Sequence, residues 1–341
     1  MRASHVKFHR QAGALAMLLT GAVWQDAHAQ DVVAQRFWSP SPVSSSFPAE
    51  WVPGRQSVAL ADGWSASATG YRIHGHSLTD NVVADGDFAS HGYVVGLAKS
   101  ITPNWTVGVR VEDGDNHVNY HQLQGRVADQ TTHGIALDVI LEDEHVVWRN
   151  TASVARDRYQ AFFDPFTPGA WDGTEWAFDT QANLRQSFGR ATGSVFVGFR
   201  RLTLTQHAFV STDAFGGTTD FLAQQRMSTQ VRAGVDLQGT IFAIRSNLVL
   251  LGHVGGTVEA EANPHAPIAL AADLTGMAGN SFSFDFPDAE PPRFPASVSY
   301  VANAGLELRA AGIVHLFFNA TAGQNPLLHW QAYEAGARVV F

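Results

Sequence analysis

The chain contains no cysteine, which removes disulfides, thiolate nucleophiles and thiolate metal sites from consideration. Lysine is nearly absent, with Lys7 and Lys99 alone, so almost all positive charge is arginine. Arginine prefers paired, partly buried settings where its planar fork can be satisfied. Beyond a short N-terminal stretch there is no run of the roughly 18 consecutive apolar residues that a membrane-crossing helix needs. A chain that enters a membrane without such a helix does so as a closed set of strands, because only those two arrangements satisfy every backbone group in lipid.

The N-terminal stretch reads as a secretory signal at residues 1–29. Arg2, Lys7 and Arg10 give a positive start, residues 11–23 an uncharged, mostly apolar run, and Ala27-His28-Ala29 a small-x-small cleavage site. Its removal takes away those three bases and Asp26, leaving 19 basic against 30 acidic residues, a formal charge of −11. So acidic a chain is a poor nucleic-acid binder. The hydrophobic fraction of 45% resembles that of an ordinary soluble protein. Alternation of lipid-facing and lumen-facing residues along a strand cancels in any such average, so a barrel gives the same figure.

Residues 30–63 form a Pro- and Ser-rich leader, with prolines at 40, 42, 48 and 53. They read as an extended segment or a plug; a long helix is excluded by those prolines. From residue 64 onward a period of two predicts twelve strands, at 64–72, 88–100, 104–113, 131–141, 145–156, 175–188, 193–205, 221–238, 242–256, 297–309, 312–322 and 329–341. The connections alternate. Those at 73–87, 114–132, 157–174, 206–220, 257–296 and the shorter 323–328 are long, and those at 101–103, 142–144, 189–192, 239–241 and 310–311 are tight. Long external loops, short periplasmic turns and an even strand count are what an outer-membrane barrel requires.

The last strand shows the pattern best. Gln331, Tyr333, Ala335, Ala337, Val339 and Phe341 share one face; Trp330, Ala332, Glu334, Gly336, Arg338 and Val340 share the other. The first face suits lipid and the second a wet interior. Strand 193–205 is ambiguous: Val195, Val197, Phe199, Arg201 and Thr203 oppose Ser194, Phe196, Gly198, Arg200 and Leu202. Aromatics near strand ends, Trp105, Trp148, Trp176, Phe178, Trp330 and Tyr333, fit two interfacial girdles.

Charges inside strands are the physical candidates for a site. Asp138, Arg200, Arg232, Asp236, Glu307, Arg309, Glu334 and Arg338 would cost about 2–4 kcal/mol each, for arginine at mid-membrane, if they faced lipid. They are expected to line the lumen in paired ladders that hold the wall together, set charge selectivity or contact a threading polypeptide. Arginines near strand ends are expected to meet lipopolysaccharide phosphates.

Fifteen histidines invite an enzyme hypothesis. His74, His76 and Ser77, His91 with Ser90, and His133 with Asp138 supply the residue types of an acyl hydrolase, without a hydrolase motif. His74 with His76, and His117 with His121, are spaced for a metal but fall short of the three or four ligands a site needs. Residues 112–116 (EDGDN) lack the distal glutamate of a calcium loop, and with 85–87 (DGD) they read as surface turns. No catalytic, metal or cofactor residue is assigned, and no cofactor is expected. The stretch 159–176 is unusually apolar for an exposed loop and is expected to pack over or into the pore.

On residues 197–209 (VGFRRLTLTQHAF), 232–237 (RAGVDL) and the terminal 336–341 (GARVVF), the chain resembles the translocator β-domain of autotransporters, twelve-stranded barrels of type V secretion. The resemblance covers roughly 64–341. It implies a closed antiparallel all-β transmembrane barrel in a Gram-negative outer membrane, probed by lipid and lipopolysaccharide on its outside and monomeric. It implies recognition of the C-terminal strand by the barrel assembly machinery, with Tyr333 and Phe341 as the signal, and an extended hairpin within 257–296. Two departures stand out: the family carries a large upstream passenger where this sequence has only the leader, and Ser211 occupies a position that is often acidic. The function expected is a transport or export pore with a very short or vestigial passenger. A lipid-modifying hydrolase and a surface adhesin using the long loops are the alternatives.

Overall fold

The computed structural model describes residues 63–77, 86–120, 127–162, 169–212, 218–221, 223–244, 248–262, 271–275, 281–285, 298–311, 313–324 and 328–340. The signal, residues 30–62 of the leader and Phe341 lie outside them.

Twelve long strands make the wall: β1 (Trp64–Ser77), β2 (Gly86–Thr102), β3 (Trp105–Tyr120), β4 (Val127–Glu142), β5 (Val146–Phe162), β6 (Gly169–Phe188), β7 (Ala191–Gln206), β10 (Gln224–Ile244), β11 (Leu248–Glu261), β14 (Val298–Ala310), β15 (Val314–Gln324) and β16 (Leu328–Val340). Four short strands, β8 (Phe209–Thr212), β9 (Thr218–Phe221), β12 (Ala271–Thr275) and β13 (Ser281–Asp285), form a separate sheet ordered β13-β12-β9-β8. Each wall strand pairs antiparallel with its neighbours, and β1 joins β16 from Ser65↔Val340 to Ser77↔Leu328, so the sheet closes without a free edge. The expected hairpin within 257–296 is present as β12 and β13.

The wall has two chemically distinct faces. On β3 Val109 and Val111 are exposed while Arg110 and Glu112 are buried; on β4 Ile135 and Leu137 are exposed while Ala136 and Asp138 are buried. Large apolar side chains exposed on one face and charged ones buried on the other describe a sheet turned inside out relative to a soluble protein. Strand β7 is now settled: Val195, Val197 and Phe199 face out and Ser194, Arg200 and Leu202 face in.

Four expectations need correction. The strands run well past the apolar band on the loop side, so residues 112–116 lie within β3 and are no turn, and Gly86 and Asp87 open β2. The first three connections shrink accordingly to 78–85, 121–126 and 163–168. Residues 239–241 are likewise strand: β10 continues to Ile244 across a bulge between Thr240 and Phe242, which absorbs the extra residue that the sequence presents as a turn. Trp330 leaves the girdle, because its position on β16 faces inward and it is buried, whereas Trp105, Trp148, Trp176, Phe178 and Tyr333 are exposed outside. The stretch 159–176 is mostly β5 and β6. Tyr159 stacks on Trp171 at 5.4 Å and Trp171 on Phe209 at 4.8 Å, which docks the small sheet onto the loop-side rim of the barrel.

Candidate functional site

Alternation turns the charged residues at inward positions of each strand to the lumen, and adjacent strands then stack those charges into clusters. The first cluster is centred on Asp138. Arg110 donates to it through Nε at 2.5 Å and through a terminal nitrogen at 2.9 Å, Arg149 donates at 3.1 Å, and the Thr151 hydroxyl donates at 2.6 Å. Two guanidiniums and a hydroxyl thus saturate one carboxylate, the bidentate arrangement that suits arginine. Above it, on the side of the long connections, the Tyr71 hydroxyl donates to Glu112 at 3.1 Å. Gly92 and Gly114 make that bond possible, since a Cβ at either would collide with the Tyr71 hydroxyl.

The second cluster joins Asp179, Arg200 and Arg232. Arg232 donates to Asp179. Buried Arg200 lies in the attractive field of Asp179, Glu175 and Glu259. The third lies near the tight turns and is centred on Glu307, which is 1% exposed. Arg309 donates to both its oxygens at 3.0 Å, and the His315 ring sits 2.7 Å away. Arg338 reaches the same ring at 3.0 Å.

Of the candidates named from sequence, Asp138, Arg200, Arg232, Glu307, Arg309 and Arg338 therefore fall into these clusters. Asp236 is buried on β10 opposite Gly255. Glu334 receives a long bond from Asn319 at 3.5 Å. Arg110, Arg149, Asp179 and His315 belong to the same clusters and were not picked out from sequence. The signal was available, because each sits in phase with the inward residues of its own strand. Tyr333 faces outward and stacks on His74 at 5.8 Å.

Two of the three sets gathered for a hydrolase, Ser90 with His91 and His133 with Asp138, are separated by the same alternation. Ser90 is buried inside and His91 is exposed outside, and Asp138 is inside while His133 is outside. His133 instead pairs with Asp113 at 2.7 Å, His117 with Asp129 at 2.6 Å and His76 with Asp87 at 2.9 Å, all on the outer face of the strand extensions. Among the described residues no group of three or more His, Asp or Glu is arranged to hold a metal.

A closed twelve-stranded wall, apolar outside and lined with buried ion clusters inside, defines a transmembrane β-barrel of the outer-membrane class. A family model described as the autotransporter β-domain matches residues 66–321, and the chain belongs to that family. Among solved structures it is similar to the translocator domain of autotransporter NalP from Neisseria meningitidis, at 14% identity over 94% of this chain and 98% of that one, with a TM-score of 0.66. It is similar to the β-domain of the Bordetella autotransporter BrkA, at 10% identity over 82% and 100% of the two chains and a TM-score of 0.59. The transport unit of AIDA-I from Escherichia coli follows at 8% identity, 85% and 94% coverage and 0.52. At such identities these likenesses speak to the fold. No curated protein matches.

Proposed function

We propose that the chain is a transport or export pore of the Gram-negative outer membrane. The observation that carries this reading is the lumen: Asp138, Arg200, Glu307 and Arg338 are buried in ion clusters on the inner face of a wall whose outer face is apolar. Such a wall separates hydrocarbon from a polar channel and needs no cofactor to do so. Residues 30–63 act as leader, plug or residual passenger, and the assembly machinery reads the C-terminal strand through Tyr333 and Phe341. The test is conductance in planar bilayers of the full chain and of a form lacking residues 30–62. Conductance of the shortened form supports the pore, and silence of both forms removes it while leaving the barrel intact.

A second reading has one supporting observation, the four-stranded sheet β13-β12-β9-β8 outside the wall. It gives the loop side a folded surface suited to adhesion. Deleting 263–297 and measuring attachment of cells separates an adhesin, which would lose binding, from a pore, which would keep its conductance.

A further inference from the structure

The outer face carries a feature that a lipid-facing wall does not need. Across β4, β5 and β6, in the half of the apolar band that lies nearer the long connections, the small side chain of Ala152 lies between Leu137 and Phe178 in register. With Ile135, Val154 and Trp176 it forms the floor and flanks of an outward trough of about 560 Å³. That volume lies within the range of roughly 300–1,000 Å³ typical of small-molecule sites. Arg201 closes one edge of the trough. It is next to Phe178 in the pairing of β6 and β7, it faces outward, and its terminal nitrogen touches the Met227 sulfur at 3.3 Å.

Arg201 stands at a chemical boundary. Below it along β7 come Phe199, Val197 and Val195, all exposed and apolar; above it come Thr203, opposite the exposed Trp176 of β6, and Thr205, opposite Thr174, with Asp172 beyond. The other outward arginines on this side behave differently. Arg156 and Arg158 already share Asp172, at 2.8 and 3.6 Å. The carboxylates that attract the neighbouring Arg200 face the lumen, on the opposite side of the sheet. A fixed cation at the lateral edge of an apolar trough, with threonines beyond it toward the long connections, matches a lipid with an acyl chain and a phosphate.

We infer that Arg201 and the trough over Ala152 form a specific site for the phosphorylated lipid A moiety of lipopolysaccharide, the lipid of the leaflet that this half of the barrel faces. One phosphate is held by the Arg201 guanidinium, and one acyl chain lies along Ala152 between the Leu137 and Phe178 walls. The site rests on the placement of the barrel in the outer membrane and not on whether its lumen conducts.

The test uses the full chain, folded in detergent and checked for heat-modifiable gel mobility, with native mass spectrometry as the readout of bound lipid. The probes are phosphorylated lipid A, the same lipid A stripped of phosphate, and phosphatidylglycerol. The expected result is one retained lipid A, with the stripped form bound about tenfold more weakly, as loss of a charge-assisted bond predicts. Arg201→Gln should weaken the phosphorylated form by the same factor and leave the stripped form unchanged, whereas Ala152→Phe should weaken both by filling the trough. Arg158→Gln, which alters an outward arginine away from the trough, should match the wild type. Retention by Arg201→Gln equal to that of the wild type overturns the proposal, as does phosphatidylglycerol bound as tightly as lipid A.

Discussion

Replacing Asp138 by asparagine keeps the shape of the side chain and removes one charge from the best-satisfied cluster in the lumen. Arg110 and Arg149 would then face an amide whose NH2 group points a donor at their donors. In the present arrangement Asp138 accepts three bonds from these guanidiniums, between 2.5 and 3.1 Å, and one from Thr151. Hydrogen bonds to charged groups contribute about 1.5–3 kcal/mol each, and losing one partner of a buried pair costs about 3–5 kcal/mol. Both arginines are essentially shielded from solvent, at 5% and 7% side-chain exposure, so screening does little to soften the loss. The expectation for Asp138→Asn is a loss of about 3 kcal/mol, more than a hundredfold in the folding equilibrium. Reversible urea unfolding of the barrel in lipid vesicles would measure it as a shift in midpoint at constant slope. The matched control is Arg158→Gln, whose partner Asp172 sits at 3.6 Å and whose own side chain is 76% exposed; an exposed pair of that kind is worth about 0–1 kcal/mol. If Asp138→Asn costs no more than the control, the lumen clusters are solvated and do not hold the wall together.

Leu137→Arg places a charge on the apolar outer face and should cost about 2–4 kcal/mol, while His133→Arg, two outward positions higher, should be close to neutral; vesicle unfolding of both checks the level of the membrane boundary. Gly114→Ala should push the Tyr71 hydroxyl off Glu112 and cost about 1–3 kcal/mol, with Tyr71→Phe removing the penalty of the added methyl, read by the same unfolding assay. Gly336→Val should hinder closure of β16 on β1, because a side chain there meets the Phe317 ring and the Ala68 carbonyl; the folded fraction on unboiled gels should fall. With residues 30–62 removed, the conducting form should prefer cations, since Asp157, Glu175 and Glu261 line the loop-side half of the lumen, and Glu175→Gln should lower that preference in a salt-gradient reversal potential.

The wall was readable because hydrocarbon enforces the pattern. Between Trp105 and Val111 every outward residue of β3 is apolar or at an interface, and between Arg110 and Asn116 the inward ones are Arg, Glu, Gly and Asn, so a period of two is unmistakable. Beyond the membrane that enforcement ends. Asp113, Asp115 and His117 face outward into water, the contrast between faces disappears, and the strand continues to Tyr120 on backbone pairing with β2 and β4 and on polar pairs such as His117 with Asp129. Local sequence contains nothing that distinguishes such a segment from a loop, which is why the strand ends and the small sheet β8, β9, β12 and β13 were the parts least visible in advance.

The sites divide along the same line, and Arg200 and Arg201 show it most sharply. They are adjacent in sequence and identical in chemistry, yet one is buried among the carboxylates of the lumen and the other stands on the outer face beside Phe178 and Met227. Sequence alone could assign the lumen role to Arg200 only by trusting the phase of Val195, Val197 and Phe199. A single register slip would exchange the two arginines, setting Arg200 in hydrocarbon and Phe199 in the channel. The pairings that prevent the slip are spread over β6, where Asp179 meets Arg200 and Phe178 meets Arg201, and β10, where Gln230 and Thr229 meet the same two. What fixes an arginine's role in this wall is therefore the agreement of three strands, and no motif confined to β7 could have stated it.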